Sequence, residues 1–234
     1  MRTRARIATR EVVTAIVTSF LISVAVTGQI FCDTFTRPMK AVGDPGTDAG
    51  VVQEANEYLA LIPDHVADTL RDSVSVQITT KDLAKTYFPG YSRIAGVTSS
   101  YRSSAGVHSV VEIENRHSAI RRSVIHETGH AFDAYCGDLS YSAEWNRIFA
   151  EEKYKFVDST SIGDGHERSN AQEFFACVFS EYFMNRNNLI ARAPQAYAFM
   201  DAVIKLYCPS DETSSTLPCT DVRKPLLWNI EVVS

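Results

Sequence analysis

The pattern of hydrophobic and polar residues changes along the chain, from strict alternation in the first half to helical periodicity in the second half. Residues 73–80 and 108–115 alternate polar and apolar side chains, which indicates two half-buried strands. In the second half apolar residues recur three and four positions apart, and this spacing predicts helices. The predicted helices cover residues 118–135, 142–156, 171–185 and 193–207. This order predicts an α+β domain in which a short sheet is followed by a helical lobe.

Shorter elements are expected before and between the two strands. Residues 32–49 are rich in proline and glycine and are interpreted as a linker. Asp48 can cap a helix that ends near Leu61, and a short helix is expected after Pro63. Residues 96–106 are rich in serine, tyrosine and glycine, so they are expected to form a loop or a hairpin.

The N-terminal segment, residues 1–31, has the pattern of a targeting sequence. Four arginines precede an uncharged stretch over residues 12–31, as in a secretory signal peptide or a membrane anchor. Small residues around Thr27 offer a cleavage site, whereas the twenty-residue stretch is just long enough to anchor the protein in a membrane. Both alternatives predict export, to a secreted or an extracellular membrane-anchored location.

Cysteine usage agrees with export. None of the five cysteines forms a C-x-x-C pair, which argues against a zinc ribbon or a thioredoxin-type centre. Cys208 and Cys219 bracket a polar loop at the start of the C-terminal tail, residues 208–234, and a disulfide could close that loop in an oxidising compartment. The alternative is two unpaired thiols in a disordered tail.

Composition and charge narrow the class of protein. The 234 residues are 45% hydrophobic and 22% charged, which is typical of a folded chain. The net charge is −5, and lysine and arginine cluster only at the N-terminus, so a nucleic-acid partner is not expected. We expect a monomer.

The stretch HETGH, residues 126–130, carries the strongest chemical signal. In a helix, His126 and His130 project from the same face and can bind one metal ion through neutral imidazoles. Glu127 lies about 100° around the helix, where its carboxylate can take a proton from metal-bound water. The alternative is an ordinary helix with two histidines. Gly129 has no side chain, which predicts close packing against that turn.

A catalytic zinc site needs a third protein ligand and an open position for water. Glu173 is the best candidate, because it stands at the start of an otherwise apolar helix. A carboxylate in such surroundings is costly unless a cation or a metal ion compensates its charge. The alternative is a glutamate on the one solvated stripe of a core helix.

Three stretches together carry a family resemblance: HETGHAFDAY, then SNAQEFFACVFSEYF about forty residues later, then APQAYAFMDAVI. They resemble the catalytic domain of the anthrax lethal-factor-like zinc metallopeptidases, a group that includes secreted Pro-Pro endopeptidases. The resemblance covers about residues 73–206, and the domain is expected to span residues 50–207. The resemblance implies a zincin-like fold, a protein or peptide substrate and a Zn²⁺ cofactor. The implied zinc ligands are His126, His130 and Glu173, and the implied general base is Glu127.

Two positions depart from the family pattern. Where the family usually has a tyrosine, seven residues before the third ligand, this chain has His166. We interpret His166 as a replacement donor that stabilises the developing oxyanion, the alternative being an exposed loop histidine. Where the family often has an acidic residue, four after the third ligand, this chain has Cys177. Cys177 is interpreted as a small buried hydrophobe or as a partner of Cys136 in a disulfide.

Asp133 matches an acidic residue of the family motif, three residues after His130. It is expected either to orient a ligand or a neighbouring helix, or to lie on the helix surface.

These patterns predict an exported zinc-dependent metalloendopeptidase. Its substrate would lie extended along an edge strand near residues 110–114. Two alternatives remain at this point: an exported zinc-containing binding protein without activity, and a cytosolic zinc hydrolase.

Overall fold

A computed structural model describes residues 39–91, 93–157 and 165–210. The predicted signal or anchor segment, Cys32, Cys219 and most of the tail lie outside the described residues. Among the described residues, no helix combines the length and the hydrophobicity needed to cross a membrane.

The sheet has four strands in the order β1-β2-β4-β3. The strands are β1 (Ala41–Gly43), β2 (Val74–Thr79), β3 (Gly96–Ser103) and β4 (Gly106–Glu114). β1, β2 and β4 run parallel, whereas β3 pairs with β4 as an antiparallel hairpin. β3 is therefore an edge of the sheet and β4 is internal.

The two faces of the sheet differ because side chains alternate along each strand. Val111 and Ile113 of β4 are fully buried and pack in the main core. Between them Glu112 points to the other face, where its carboxylate accepts hydrogen bonds from Lys81 and Tyr87. The alternation seen in the sequence thus separates a helix-covered face from a polar one.

Eight helices are present in the described residues. They are α1 (Ala49–Leu59), α2 (Asp64–Leu70), α3 (Leu83–Tyr87), α4 (His117–Tyr135), α5 (Ala143–Glu152), α6 (Ala171–Met184), α7 (Arg186–Arg192) and α8 (Pro194–Tyr207). α4 lies at the centre, in contact with α1, with β3 and β4, and with α6. α6 in turn contacts α5, α7 and α8, so these helices form a lobe on the far side of α4 from the sheet.

Aromatic side chains build the core of the helical lobe. Trp145 of α5 is fully buried and packs against Phe174 and Phe175 of α6. Its indole N–H donates a hydrogen bond to the carbonyl of Ala171, 2.8 Å away. The first turn of α6 is thereby fixed to α5, and with it the side chains that α6 presents to α4.

The predicted α+β class and the order of a short sheet followed by a helical lobe are confirmed. Both predicted strands are present, and the predicted hairpin over residues 96–106 is formed by β3 and β4. Three predictions need correction. The predicted linker contains β1, the helix expected over 142–156 ends at Glu152, and α7 lies between the last two predicted helices.

A candidate metal centre and active site

Helix α4 holds the HETGH stretch in the interior of the molecule. The helix is long, 19 residues, and ends where Gly137 takes a left-handed conformation with φ of 89°. Glycine is favoured there because a side chain would strain the backbone. His126 and Glu127 are 7% and 8% exposed, so this segment is not the solvated helix that was the alternative interpretation.

Glu173 of α6 meets both histidines of α4. Its Oε2 atom lies 3.1 Å from Nε2 of His126 and 3.3 Å from Nε2 of His130. One ligand atom from each of the three residues can be chosen so that all lie within 4.8 Å of one another. The predicted third ligand is therefore within reach of a metal ion shared with the two imidazoles.

The start of α6 explains why the carboxylate is in this place. Asn170 caps the helix, and its side chain accepts a hydrogen bond of 2.9 Å from the backbone N–H of Glu173. Glutamate three residues after an N-cap often turns back to complete the cap. Here the Glu173 carboxylate contacts imidazoles instead.

Electrostatics favour the ionised form of Glu173. Burial raises the pKa of this carboxyl, but hydrogen bonds with His126, His130 and His166 outweigh burial and hold the pKa far below its ordinary value. For His130, burial lowers the pKa, while the hydrogen bond to Glu173 and the charge of Glu127 raise it, with a net increase. An ionised carboxylate that lies beside several imidazole nitrogens is a favourable environment for a divalent cation.

His166 belongs to the same cluster. It begins a short 3-10 turn, His166–Arg168, which follows Gly165 in a left-handed conformation. Its Nε2 atom lies 2.7 Å from Oε2 of Glu173, and its ring centroid is 5.4 Å from that of His126. The side chain is 53% exposed, so the imidazole lines the site from its solvent side.

Glu127 points to the other side of the site, towards β3. The hydroxyl of Thr98 lies 2.8 Å from Oε2 of Glu127 and 2.9 Å from its backbone oxygen, so it can donate a hydrogen bond to either. A Cβ atom at Gly96 would lie 2.8 Å from Cγ of Glu127, which is closer than real contacts allow. Sequence reasoning missed Thr98 and Gly96, because both residues reach Glu127 only when β3 packs beside α4.

Gly129 lies on the turn between the two histidines and allows α6 to approach. A Cβ atom at this position would be 3.0 Å from the Cα of Ala176 and 3.1 Å from the Cβ of Phe179. The close packing predicted from this glycine is confirmed. It brings the backbones of the two ligand-bearing helices together.

A family comparison adds to this geometry. A family model described as anthrax toxin lethal factor, N- and C-terminal domain, matches residues 52–203, which is more than half of the chain. The chain belongs to the anthrax lethal factor family. No curated protein matches the chain's sequence.

A solved structure is similar in fold to this lethal factor family member. The Pro-Pro endopeptidase PPEP-2 from Paenibacillus alvei is similar with a TM-score of 0.53 and 24% sequence identity. The alignment covers 70% of this chain and 96% of that chain. At this level of identity the likeness establishes the fold, and the predicted zincin-like fold is confirmed.

The donor set of this family member fits a zinc ion. Two imidazoles and a carboxylate are ligands typical of catalytic zinc, which leaves one position for water or substrate. Within the described ranges, His126, His130 and Glu173 form a group that could hold a metal ion, and this group is called the metal-binding group below.

Asp133 makes its hydrogen bonds with the turn that follows α4. It is 6% exposed, and its carboxylate accepts hydrogen bonds from the backbone N–H and the hydroxyl of Ser140. Burial raises the pKa of Asp133, while these two hydrogen bonds lower it in part. Asp133 therefore orients the turn after α4, and its interpretation as a surface residue is wrong.

Cys136 is a buried free thiol, so the disulfide suggested between Cys136 and Cys177 is not formed. Burial raises the pKa of the Cys136 thiol well above its ordinary value. Cys208 is also buried, and burial raises its pKa to about 11. Its predicted disulfide with Cys219 stays a prediction, since Cys219 lies outside the described residues.

The predicted substrate edge also needs correction. Residues 110–114 belong to β4, which has β2 on one side and β3 on the other. The edge beside Glu127 is β3, whose pairing within the described residues is with β4. An internal strand cannot accept a further strand, so any extended partner on this side would have to pair with β3.

Proposed function

We propose that this chain is a zinc-dependent metalloendopeptidase that hydrolyses peptide bonds of a protein or peptide substrate. One observation carries the proposal: the Glu173 carboxylate lies against both imidazoles of the HETGH helix while Glu127 stands free of that contact, beside β3. Membership of the lethal factor family and the zincin-like fold support the same reaction class.

Each residue of the site has its own role in the proposed reaction. His126, His130 and Glu173 would hold the zinc ion, which supplies Lewis-acid activation of water and of the scissile carbonyl. Glu127 accepts the proton of the attacking water and delivers it to the leaving amine. His166 donates a hydrogen bond to the carbonyl oxygen as it gains negative charge.

Thr98 and β3 support the base and the substrate. The Thr98 hydroxyl fixes the orientation of the Glu127 carboxylate through its hydrogen bond. An extended substrate would pair with β3 along the edge that faces away from β4, because that edge runs past Gly96 and Thr98 next to Glu127. The scissile bond would thereby lie between the base and the zinc ligands.

The place of action follows from the N-terminal segment. We propose export, either as a secreted protein or anchored by residues 12–31, on the basis of four arginines followed by an uncharged stretch. N-terminal sequencing of the mature protein distinguishes the two forms: loss of residues 1–31 supports a cleaved signal, and their retention supports an anchor.

The second candidate function is a binding protein with a closed zinc site. It is favoured by one observation, the 2.7 Å contact of His166 with Glu173, which brings a third imidazole to the metal-binding group. A fourth protein ligand is the mark of a structural zinc site. This protein would bind zinc and cleave nothing.

The deciding experiment measures cleavage of a diverse peptide library together with bound zinc. We expect the zinc-loaded protein to cleave and the chelated protein to be inactive. Glu127→Gln should keep its zinc and lose about 100-fold or more in rate, as expected for a missing general base. Glu57→Gln, an exposed glutamate on α1, is the matched control and should behave as wild type.

Zinc bound without any cleavage would reject the peptidase and leave the binding protein. A Glu127→Gln variant as active as wild type would reject the assignment of the base, even if the protein is a peptidase.

A further inference from the structure

Cys177 lies against the back of the metal-binding histidine. Its sulfur is 3.6 Å from Nδ1 of His126, which is within hydrogen-bonding range for sulfur. The opposite ring nitrogen, Nε2, faces Oε2 of Glu173 at 3.1 Å. Cys177 and His126 are 1% and 7% exposed, so protein groups surround this contact.

A single face of α6 supplies both contacts. Glu173 and Cys177 are four residues apart, and such residues project from the same side of a helix. The carboxylate therefore meets one nitrogen of His126, and the sulfur meets the other. The close approach of the two helices at Gly129 brings this face within reach of the ring.

The chemistry of imidazole indicates a role for the contact between the Cys177 sulfur and Nδ1 of His126. A neutral imidazole that binds a metal through Nε2 carries its proton on Nδ1, which then acts as a donor. A buried donor without an acceptor destabilises the folded protein. In this site the acceptor facing Nδ1 is the Cys177 sulfur, an acceptor weaker than the carboxylates or carbonyls that usually hold such rings.

We propose that Cys177 is a positioning residue of the zinc site, whose sulfur accepts the Nδ1–H hydrogen bond of His126 and fixes the ring with Nε2 towards the metal. This inference rests on the zinc site of the proposed function. It differs from the interpretation of Cys177 as a small buried hydrophobe, which requires only that the sulfur fills space.

The test compares two buried cysteines by the same substitution. Cys177→Ala and Cys136→Ala each remove a buried sulfur, but only the first removes a contact with His126. Zinc affinity is measured by competition with a chromogenic chelator, and the ligand field by the visible absorption of the Co²⁺-loaded protein. Thermal unfolding of the metal-free variants reports the loss of packing separately.

We expect Cys177→Ala to bind zinc about 10–100-fold more weakly, the usual cost of losing such an outer partner. Its Co²⁺ spectrum should shift, and Cys177→Ser, which keeps an acceptor, should recover most of the affinity. Cys136→Ala should lower only the unfolding temperature. Equal zinc affinity and equal Co²⁺ spectra for Cys177→Ala and wild type would overturn the proposal.

A second measurement needs no variant and decides the matter if Cys177→Ala does not fold. Long-range ¹H–¹⁵N spectra of the zinc-loaded wild type should show His126 protonated at Nδ1 and metal-bound at Nε2. Zinc binding through Nδ1 of His126 would overturn the role of Cys177 while leaving the zinc site intact. A wild-type protein that binds no zinc would instead reject the proposed function on which this inference rests.

Discussion

The carboxylates of Glu173 and Glu127 have different surroundings on the two sides of the site. On the helix side, formed by Glu173, Cys177 and His166, the carboxylate is surrounded by three imidazoles. On the sheet side, formed by Glu127, Gly96 and Thr98, the carboxylate meets a neutral hydroxyl and a bare strand backbone. The environment on the helix side suits a metal ligand, whereas the sheet side gives its carboxylate a neutral hydroxyl as hydrogen-bond partner, as the proposed base would need.

Removing the helix-side carboxylate should have the largest effect. Glu173→Gln deletes a negative charge that contacts three imidazoles, two of them from the proposed zinc ligands. Zinc affinity should fall by more than about 100-fold, since losing only an outer partner costs about 10–100-fold. Peptide cleavage should be lost with the metal. Zinc content after dialysis and cleavage rate are measured side by side for Glu173→Gln and Glu127→Gln. If both variants lost zinc to the same extent, the assignment of Glu173 as a metal ligand and Glu127 as the base would be wrong.

Replacing His166 should have the next largest effect. Whether kcat or zinc affinity falls shows whether His166 acts as an oxyanion donor or as a zinc ligand. As an oxyanion donor its replacement by phenylalanine should lower kcat by about 100-fold with zinc affinity unchanged. His166→Tyr restores a donor and should recover part of the rate. A loss of zinc affinity in His166→Phe, with tyrosine unable to restore cleavage, would make His166 a ligand and favour the closed binding site.

Thr98 should have the smallest effect, confined to the sheet side. Thr98→Val removes a hydrogen bond to the Glu127 carboxylate, and kcat should fall by about 10-fold, the value of one hydrogen bond to a charged group. Thr98→Ser keeps the hydroxyl and serves as the control. Zinc affinity should be equal in all three proteins. A Thr98→Val variant with wild-type kcat would show that Glu127 needs no support from β3.

The parts of the site that the sequence predicted are those fixed by local geometry. His126 and His130 share a face because the helical repeat places residues four apart together, and this holds in any fold. Glu173 was recognisable because a carboxylate in an apolar helix needs a partner. His166 was reached only through a family resemblance, since nothing in its own loop predicts that it returns to Glu173.

The parts that the sequence missed depend on how distant elements meet. Thr98 and Gly96 approach Glu127 because the β3–β4 hairpin packs against α4, and the pattern of residues does not specify which helix a hairpin packs against. The substrate edge was assigned to the wrong strand for the same reason, because strand order is a tertiary property. β1 was missed because three residues in a proline- and glycine-rich stretch carry too little pattern.

Gly129 has a consequence for how variants of this protein should be interpreted. A Cβ atom there would lie 3.0 Å from the Cα of Ala176 and 3.2 Å from its carbonyl oxygen, so the main chain of α6 would have to move by a few tenths of an ångström. Relief of that contact would change the spacing between α4 and α6, and α6 also carries Glu173. An alanine variant is therefore expected to bind the proposed metal ion more weakly although His126, His130 and Glu173 are all present, because the spacing of the two helices sets the distance between the glutamate and the histidines.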